Sequence, residues 1–169
     1  GMIFVEEQKT HPITRDQVLN AFKRVRANDG SAGVDKITIA EVDANKRKYL
    51  YPVWNRMASG SYYSNSVRQK LISKGGGKER ALGIPTITDR VAQQVIATEL
   101  ESIVDKQFSR NSFGYRPNKS AHDAIEQCRI NCFKYSWVID LDIKGFFDNI
   151  DHGMLMKALR HYTDRKHIL

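Results

Sequence analysis

The segment of residues 137–144 constrains the fold most, because only an extended strand separates its apolar side chains from its charged ones. The apolar side chains of one face are Trp137, Ile139, Leu141 and Ile143, and the charged ones of the other are Asp140, Asp142 and Lys144. A strand needs partners for its edges and for its apolar face. Because only a helix follows, starting near Asp151, the pattern predicts an unfinished sheet and therefore a truncated protein.

Most of the remaining chain has the periodicity of helices. A capping box of Thr14 and Gln17 predicts the start of the first helix, which runs to Ala27 with Val18, Ala21, Phe22 and Val25 at helical spacing. Further helices are predicted from Ala40 to about Ser59, after a cap at Thr88, from Ala121 to Cys132 and from Asp151. The last should turn Met154, Leu155, Ala158, Leu159 and Tyr162 inward.

Between these helices, residues 67–84 predict a β-hairpin of two short strands, Val67–Ser73 and Glu79–Ile84, around a tip of three glycines. Its cations are Arg68, Lys70, Lys74, Lys78 and Arg80, against the single acid Glu79. Cations around a glycine-rich turn suit the phosphates of a nucleotide, because the backbone can approach closely. The alternative is a basic hairpin that only faces solvent.

The net charge of +8 and the pI of about 9.5 favour a nucleic-acid partner, since Lys and Arg release counterions from a phosphate backbone. A chance surface excess is the alternative. No apolar run approaches the roughly 20 residues of a membrane span, and no signal peptide is evident, so a cytoplasmic protein is expected. Cys128 and Cys132 are predicted to be buried thiols on one helix face.

The two carboxylates of the predicted strand, Asp140 and Asp142, would be costly to bury without a partner. A divalent cation such as Mg²⁺ is one solution, because it prefers carboxylate oxygens combined with substrate phosphates. An ion pair with Lys or Arg is the other, and the strand by itself favours the ion pair.

Four motifs together resemble group II intron reverse transcriptases. These are the segment DIKGFFDNIDH from Asp142 to His152, the segment KGGGKERALGIPTITDR from Lys74 to Arg90, the segment FSRNSFGYRPNKSAH from Phe108 to His122, and the loop AGVD from Ala32 to Asp35. Their order and spacing fit that family over residues 12–162. Ser73 and Ala81 stand where the family usually has proline, which removes no charge.

The resemblance implies a role for each matching residue. In the implied catalytic centre, Asp142 binds two Mg²⁺ ions with help from the Ile143 carbonyl. The implied dNTP-binding residues are Arg68, Lys74 and Arg80 for the phosphates, Gly145 and Phe146 beneath the triphosphate, and Phe147 against the sugar. The residues implied to lie near the template or nucleotide pocket are Gly33, Asp35, Arg110, Tyr115, Arg116 and Lys119.

The resemblance also implies the fold and its organisation. We expect an α/β fold of the α+β kind, in which residues 2–136 form largely helical polymerase fingers with an antiparallel hairpin, and residues 137–169 begin a palm sheet. The sequence has no Asp-Asp pair, so the Tyr-Ala-Asp-Asp motif of the family is missing and this fragment should be inactive. The implied partners are an RNA template, a DNA primer, intron RNA and dNTP, with no membrane and with a possible homodimer.

Two other interpretations remain open at this point. A non-catalytic RNA-binding module could have kept the fingers of a reverse transcriptase without its polymerase activity. The chain could also come from the reverse transcriptase of a retron or of a diversity-generating element, although their finger motifs differ more from this sequence.

Overall fold

A computed structural model describes residues 13–73, 76, 79–165 and 168 of the chain. The fold is α+β, mostly helical with one antiparallel hairpin, as the sequence predicts. The chain forms two compact units: the first runs from the N-terminus to Glu99 and takes in the residues from Arg165, and the second is Leu100–Asp164. No helix within the described ranges is long and apolar enough to cross a membrane.

The described elements follow one another in this order: α1 (Arg15–Asn28), α2 (Ile39–Ala44), α3 (Lys46–Ala58), β1 (Arg68–Ser73), β2 (Glu79–Ile84), α4 (Ile87–Val104), α5 (Ala121–Lys134) and α6 (His152–Tyr162). Short 3₁₀ turns occupy Asp105–Gln107 and Phe147–Asn149.

The core of the first unit lies among its helices. The predicted capping box of Thr14 and Gln17 is present at the start of α1. All four apolar positions predicted on α1 are buried, and they are packed with Leu50, Val53 and Met57 of α3 and Ile87, Val91, Ala92 and Val95 of α4. The period of apolar residues therefore predicted the core-facing side of α1 correctly, because helical spacing alone defines that side.

The predicted helix from Ala40 to Ser59 is two helices instead of one. Asn45 separates them with a non-helical backbone, and its side-chain amide donates to the carbonyl of Glu41 at 3.3 Å. A short polar side chain that bonds to a nearby carbonyl competes with the helix, which explains the break.

The hairpin matches its prediction closely. Strands β1 and β2 pair antiparallel, with Arg68 opposite Ile84, Lys70 opposite Leu82 and Ile72 opposite Arg80. Among the described residues this two-stranded sheet is the only one.

A buried carboxylate lies where the hairpin passes into α4. Asp89 is 2 % exposed, and its oxygens accept hydrogen bonds from the Thr86 hydroxyl at 2.7 Å and the Tyr62 hydroxyl at 2.8 Å. The backbone and side-chain amides of Asn65 donate to the same carboxylate at 3.2 Å. Thr86 also accepts from the Asp89 backbone N–H, so Thr86, and not the predicted Thr88, caps α4.

The loop between α1 and α2 approaches the same place. Gly33 is buried, and a Cβ atom added to it would lie 2.7 Å from both the N and the Cα atoms of Thr86. The contact is with backbone, which cannot move aside as a flexible side chain can. Only glycine therefore fits at this position without a shift.

In the second unit, the predicted strand over residues 137–143 is wrong: this segment has no strand structure and its side chains face solvent. Trp137 is 89 % exposed and Leu141 88 % exposed. The described residues supply no neighbouring strand, and a single strand has no inter-strand hydrogen bonds to hold it. The first part of a palm sheet is accordingly not seen here.

Two other burial predictions for this unit are also wrong. Cys128 and Cys132 are exposed on α5, although the Ser120–Asp123 capping box that begins this helix is present. On α6, Met154, Leu155 and Tyr162 are exposed rather than buried. Periodicity defined the apolar side of each helix, but burial also requires a packing partner, which periodicity does not supply.

We predict that Asp89→Asn lowers the free energy of unfolding of the first unit by about 2–3 kcal/mol, the scale of hydrogen bonds to a buried charged group. Urea denaturation followed by far-UV circular dichroism measures this change. Asp16→Asn, on exposed α1, is the matched control and should change stability by less than about 0.5 kcal/mol. Equal stability of the two variants would contradict the importance given to the Asp89 network.

The same carboxylate should make stability depend on pH. Burial by itself would raise the pKa of Asp89, but hydrogen bonds from Thr86, Tyr62 and Asn65 outweigh it and hold the pKa below its ordinary value of 3.8. A group with a depressed pKa stabilises the fold above its unfolded pKa, and this contribution is lost as pH falls through the folded pKa. Below about pH 4, the wild-type chain should therefore lose stability more steeply than Asp89→Asn in acid titrations at fixed urea.

We further predict that Gly33→Ala destabilises the first unit by about 1–3 kcal/mol, because its Cβ atom would overlap the Thr86 backbone. The control is Gly114→Ala, where an added Cβ meets no atom within 4 Å. Urea midpoints of the two variants measure the difference. A Gly33→Ala midpoint equal to that of wild type would show that the loop is not held against the hairpin.

Candidate nucleotide and nucleic-acid site

The cations of the hairpin are arranged on one face. Residues opposite each other in an antiparallel pair share a face, so the register of β1 and β2 puts Arg68, Lys70 and Arg80 on the same side. The acid Glu79 lies on the other side. All three cations are exposed, and no ion pair of theirs is found in the described part of the chain.

At the hairpin tip, Gly76 has a φ of +60° and open space around it, as expected for a glycine turn. Lys74, the third predicted phosphate ligand, lies outside the described residues, as does Lys78. Predictions about these two side chains therefore stay predictions. What is described is an exposed cationic face that leads toward the glycine tip.

The segment around Asp142 belongs to the second unit. Asp142 is exposed, and Gly145 a few residues later has a φ of +61°, which permits a sharp turn. Asn149 holds this turn, since its side-chain amide donates to the Gly145 carbonyl at 2.7 Å and its backbone N–H donates to the same oxygen at 3.1 Å. Residues 145–149 therefore form a tight turn after Asp142.

Two aromatic rings follow the turn. Phe146 and Phe147 have ring centroids 5.5 Å apart, and Phe147 is 82 % exposed. Asp151 then caps α6 by accepting the backbone N–H of Met154 at 2.9 Å. The hydrogen-bonded turn and the capped start of α6 thus hold the backbone on either side of an exposed aromatic ring.

The oxygen donors near Asp142 fit Mg²⁺ by type. A free carboxylate and the neighbouring Ile143 carbonyl are hard ligands, and Mg²⁺ usually takes one or two carboxylates with waters and substrate phosphates. In the described ranges, no group of three or more His, Cys, Asp or Glu side chains could hold a metal ion. Asp142 and Ile143 would therefore supply only part of a coordination shell.

The loop between the 3₁₀ turn at Asp105 and α5 is organised by Arg116. Its guanidinium forms an ion pair with Asp105 at 2.7 Å and donates to the carbonyls of Ser109 at 2.7 Å and Ser112 at 3.1 Å. The Arg116 side chain is only 11 % exposed, and the hydrogen bond from it lowers the pKa of Asp105. Arg116 is thus a structural clamp in this unit, and its predicted contact with nucleic acid stays a prediction.

The side chains near Arg116 differ in how far they are exposed to solvent. Tyr115 is fully exposed, with a φ of +54° that is unusual for a residue other than glycine. Lys119 donates to the Arg110 carbonyl at 3.2 Å and lies over the Phe113 ring at 4.9 Å. The Arg110 side chain is exposed. Of the contact residues predicted in this motif, Tyr115 and Arg110 are therefore exposed, and Lys119 is half-buried.

In the loop predicted to lie near the template, Gly33 and Asp35 both make structural contacts. Gly33 is used in the close approach to Thr86, and the Asp35 carboxylate accepts the Ile37 backbone N–H at 3.1 Å. Asp35 is exposed. Contact of either residue with a template stays a prediction.

The candidate residues thus form two sets. The hairpin cations and the Gly33 loop belong to the first unit, whereas Asp142, Phe147 and the Arg116 loop belong to the second. The sequence also predicts that the hairpin cations and Asp142 face a common cleft, and this stays a prediction.

The motifs also contain residues whose structural roles sequence reasoning missed, namely Asp89, Thr86 and Asn149. The spacing Thr86-x-x-Asp89 is that of a capping box, and it was a signal available in the sequence. The bonds of Tyr62 and Asn65 to Asp89 span 27 and 24 residues, so no local pattern predicts them.

Comparison with known proteins identifies the family of this chain. The family described as Reverse transcriptase (RNA-dependent DNA polymerase) matches residues 72–168. The Group II intron-encoded protein LtrA of Lactococcus lactis is 34 % identical over 137 residues, which cover 80 % of this chain and 23 % of LtrA. Protein YkfC of Escherichia coli is 31 % identical over 156 residues, covering 88 % of this chain and 41 % of that protein.

A plant protein, Nuclear intron maturase 2, mitochondrial, of Arabidopsis thaliana, is 31 % identical over 112 residues, covering 62 % of this chain and 15 % of that protein. The chain thus spans less than half the length of each of these three relatives. It belongs to the reverse transcriptase family and is similar to group II intron-encoded reverse transcriptases and maturases.

Proposed function

We propose that this chain is the fingers and the beginning of the palm of an RNA-directed DNA polymerase of the group II intron type. Residues 2–136 would form the fingers and residues 137–169 the start of the palm. The partners would be an RNA template, a DNA primer, intron RNA and dNTP in the bacterial cytoplasm. The observation that carries the proposal is the face of the hairpin on which Arg68, Lys70 and Arg80 lie without an acidic partner in the described residues.

Three exposed cations on one face repel each other, so their arrangement is best explained by an anionic ligand. Phosphate oxygens suit them, because charge-assisted hydrogen bonds from guanidinium groups to phosphate are strong and can be bidentate. The glycine tip would add Lys74 and backbone N–H groups to the same ligand. A triphosphate, which needs several cations at close spacing, fits this face better than a single carboxylate does.

The second unit would supply nucleotide-binding groups of its own. Asp142 and the Ile143 carbonyl would hold Mg²⁺, which when bound activates the primer 3′-oxygen and stabilises the leaving pyrophosphate. The Gly145 turn would place the backbone of Gly145 and Phe146 beneath the triphosphate. The exposed Phe147 ring would lie against the sugar and disfavour a ribose by its bulk.

Template binding would use side chains of the loop that Arg116 organises. Tyr115 offers an exposed ring for stacking on a base, and Arg110 and Lys119 offer cations for the backbone. Gly33 and Asp35 would place their loop near the template. Homodimerisation belongs to the same proposal, and the molar mass in solution from light scattering would test it.

We expect Arg80→Ala to weaken the binding of dATP with Mg²⁺ by about ten-fold, the effect of losing one hydrogen bond to a charged group. Isothermal titration calorimetry on the 169-residue chain measures this. The control is Lys23→Ala, which removes the same charge from the exposed surface of α1. Equal weakening by both variants would indicate a non-specific charge effect and contradict a phosphate site on the hairpin.

We also expect the 169-residue chain alone not to extend a primer, because two-metal transfer needs more than one carboxylate and the sequence has no Asp-Asp pair. A primer-extension assay with an RNA template, Mg²⁺ and dNTPs tests this, with Asp142→Ala as the background control. Incorporation above that background would overturn the expectation. RNA binding without any dNTP binding would favour the alternative of a non-catalytic RNA-binding module.

A further inference from the structure

A cleft of about 770 Å³ lies between α1 and α3, apart from the hairpin and from the motifs discussed above. The residues that give it its chemistry are Arg15, Lys46, Arg47, Lys48, Tyr51 and Trp54, and the rest of the lining is apolar. This volume is in the range of pockets that bind small ligands, roughly 300–1,000 Å³. The cleft thus combines a concave surface with aromatic rings and a concentration of positive charge.

Aromatic rings and one cation form a fixed group in this cleft. The Arg15 guanidinium lies 4.4 Å from the centroid of the Trp54 ring and 5.7 Å from that of Tyr51. The Trp54 indole N–H donates to the Ile13 carbonyl at 2.8 Å, which holds its ring in place. Tyr51 is tilted against Trp54 with centroids 5.5 Å apart and remains 48 % exposed. Part of the aromatic surface is therefore preorganised and open to a planar ligand.

Three cations of the cleft lie at an electrostatically unfavourable position, the N-terminus of α3. Lys46, Arg47 and Lys48 occupy the first turn of α3, which has no acidic residue and no side-chain cap. The N-terminus of a helix is its positive end, so cations there cost stability while anions add it. A local violation of this kind is typical of a functional position, where a ligand offsets the cost.

Nearby acids neutralise part of this charge, on Lys46 and Lys48, but not that of Arg47. Asp43 is shared between Lys46 at 2.6 Å and Arg26 at 3.1 Å, and Glu41 accepts the Tyr49 hydroxyl. Arg47 is exposed and has no ion pair among the described residues. Arg47 therefore contributes uncompensated positive charge to the same cleft wall as the half-exposed Tyr51.

We infer that this cleft binds an unpaired nucleotide of an RNA, with the base stacked on Tyr51 beside the Arg15 guanidinium and the flanking phosphates on Arg47 and Lys48. Aromatic rings and Arg planes recognise bases that are splayed out of a helix, whereas the bases of a duplex are stacked and out of reach. An acidic peptide would use the cations but not the ring. The inference deepens the proposed function, on whose RNA partner it rests, and adds a site outside the polymerase motifs.

The test measures binding of a fluorescein-labelled, single-stranded 12-nucleotide RNA of mixed sequence to the 169-residue chain by fluorescence anisotropy at constant salt. Tyr51→Ala should weaken binding at least about five-fold, the low end for loss of one base–aromatic stack. Arg47→Glu should weaken it further, whereas Lys23→Glu, the same charge reversal on exposed α1, should change it less than about two-fold. Arg47 is exposed, so its variant tests the site even if Tyr51→Ala perturbs packing.

Two competitors distinguish the class of ligand. The unlabelled single strand should displace the probe, while the same sequence as a blunt duplex and poly-glutamate should compete at least about five-fold less well. Equal effects of Arg47→Glu and Lys23→Glu, or equal competition by poly-glutamate, would overturn the inference. The assay contains no dNTP and no primer, so its failure leaves the hairpin site to be judged by the Arg80 variant alone.

Discussion

The architecture of the first unit depends on one buried carboxylate. Asp89 receives hydrogen bonds from Thr86, Tyr62 and Asn65, which come from the hairpin exit, the turn after α3 and the segment leading into β1. A buried charge is tolerated only when such donors replace water, so these segments are fixed relative to each other. The backbone of Thr86 is in turn the surface on which Gly33 packs. The Gly33 loop, the turn after α3, the hairpin and α4 are thus held together around Asp89 and Thr86.

This arrangement explains how a largely exposed hairpin can present its cations in a defined direction. Ile84 is buried at the base of β2, while the residues of both strands beyond it face solvent. The buried contacts that stabilise the hairpin therefore lie at its end near Ile84, close to Asp89 and the helices. The cations lie on the exposed part of its two strands. Such a division suits a ligand that arrives from solvent, because binding does not require the core to rearrange.

In the second unit, local hydrogen bonds replace a core. Arg116 joins Asp105 to the carbonyls of Ser109 and Ser112, and Asn149 closes the turn at Gly145. These contacts shape loops within spans of 4 to 11 residues, so they form without the packing that a buried face needs. The apolar side chains of residues 137–143 remain exposed because strand pairing, unlike a turn, needs a second segment of chain.

The sequence by itself determined most of the helices, the capping box of α1, the hairpin with its glycine turn and the family, because these depend on residues close together in the chain or on matching motifs. Only the tertiary structure showed that Thr86 caps α4, that Asn45 divides a predicted helix and that Arg116 is used as a clamp. It also showed that the predicted strand and the buried faces of α5 and α6 lack partners among the described residues. Periodicity defines which side of an element is apolar, but contacts between distant residues decide whether that side is covered.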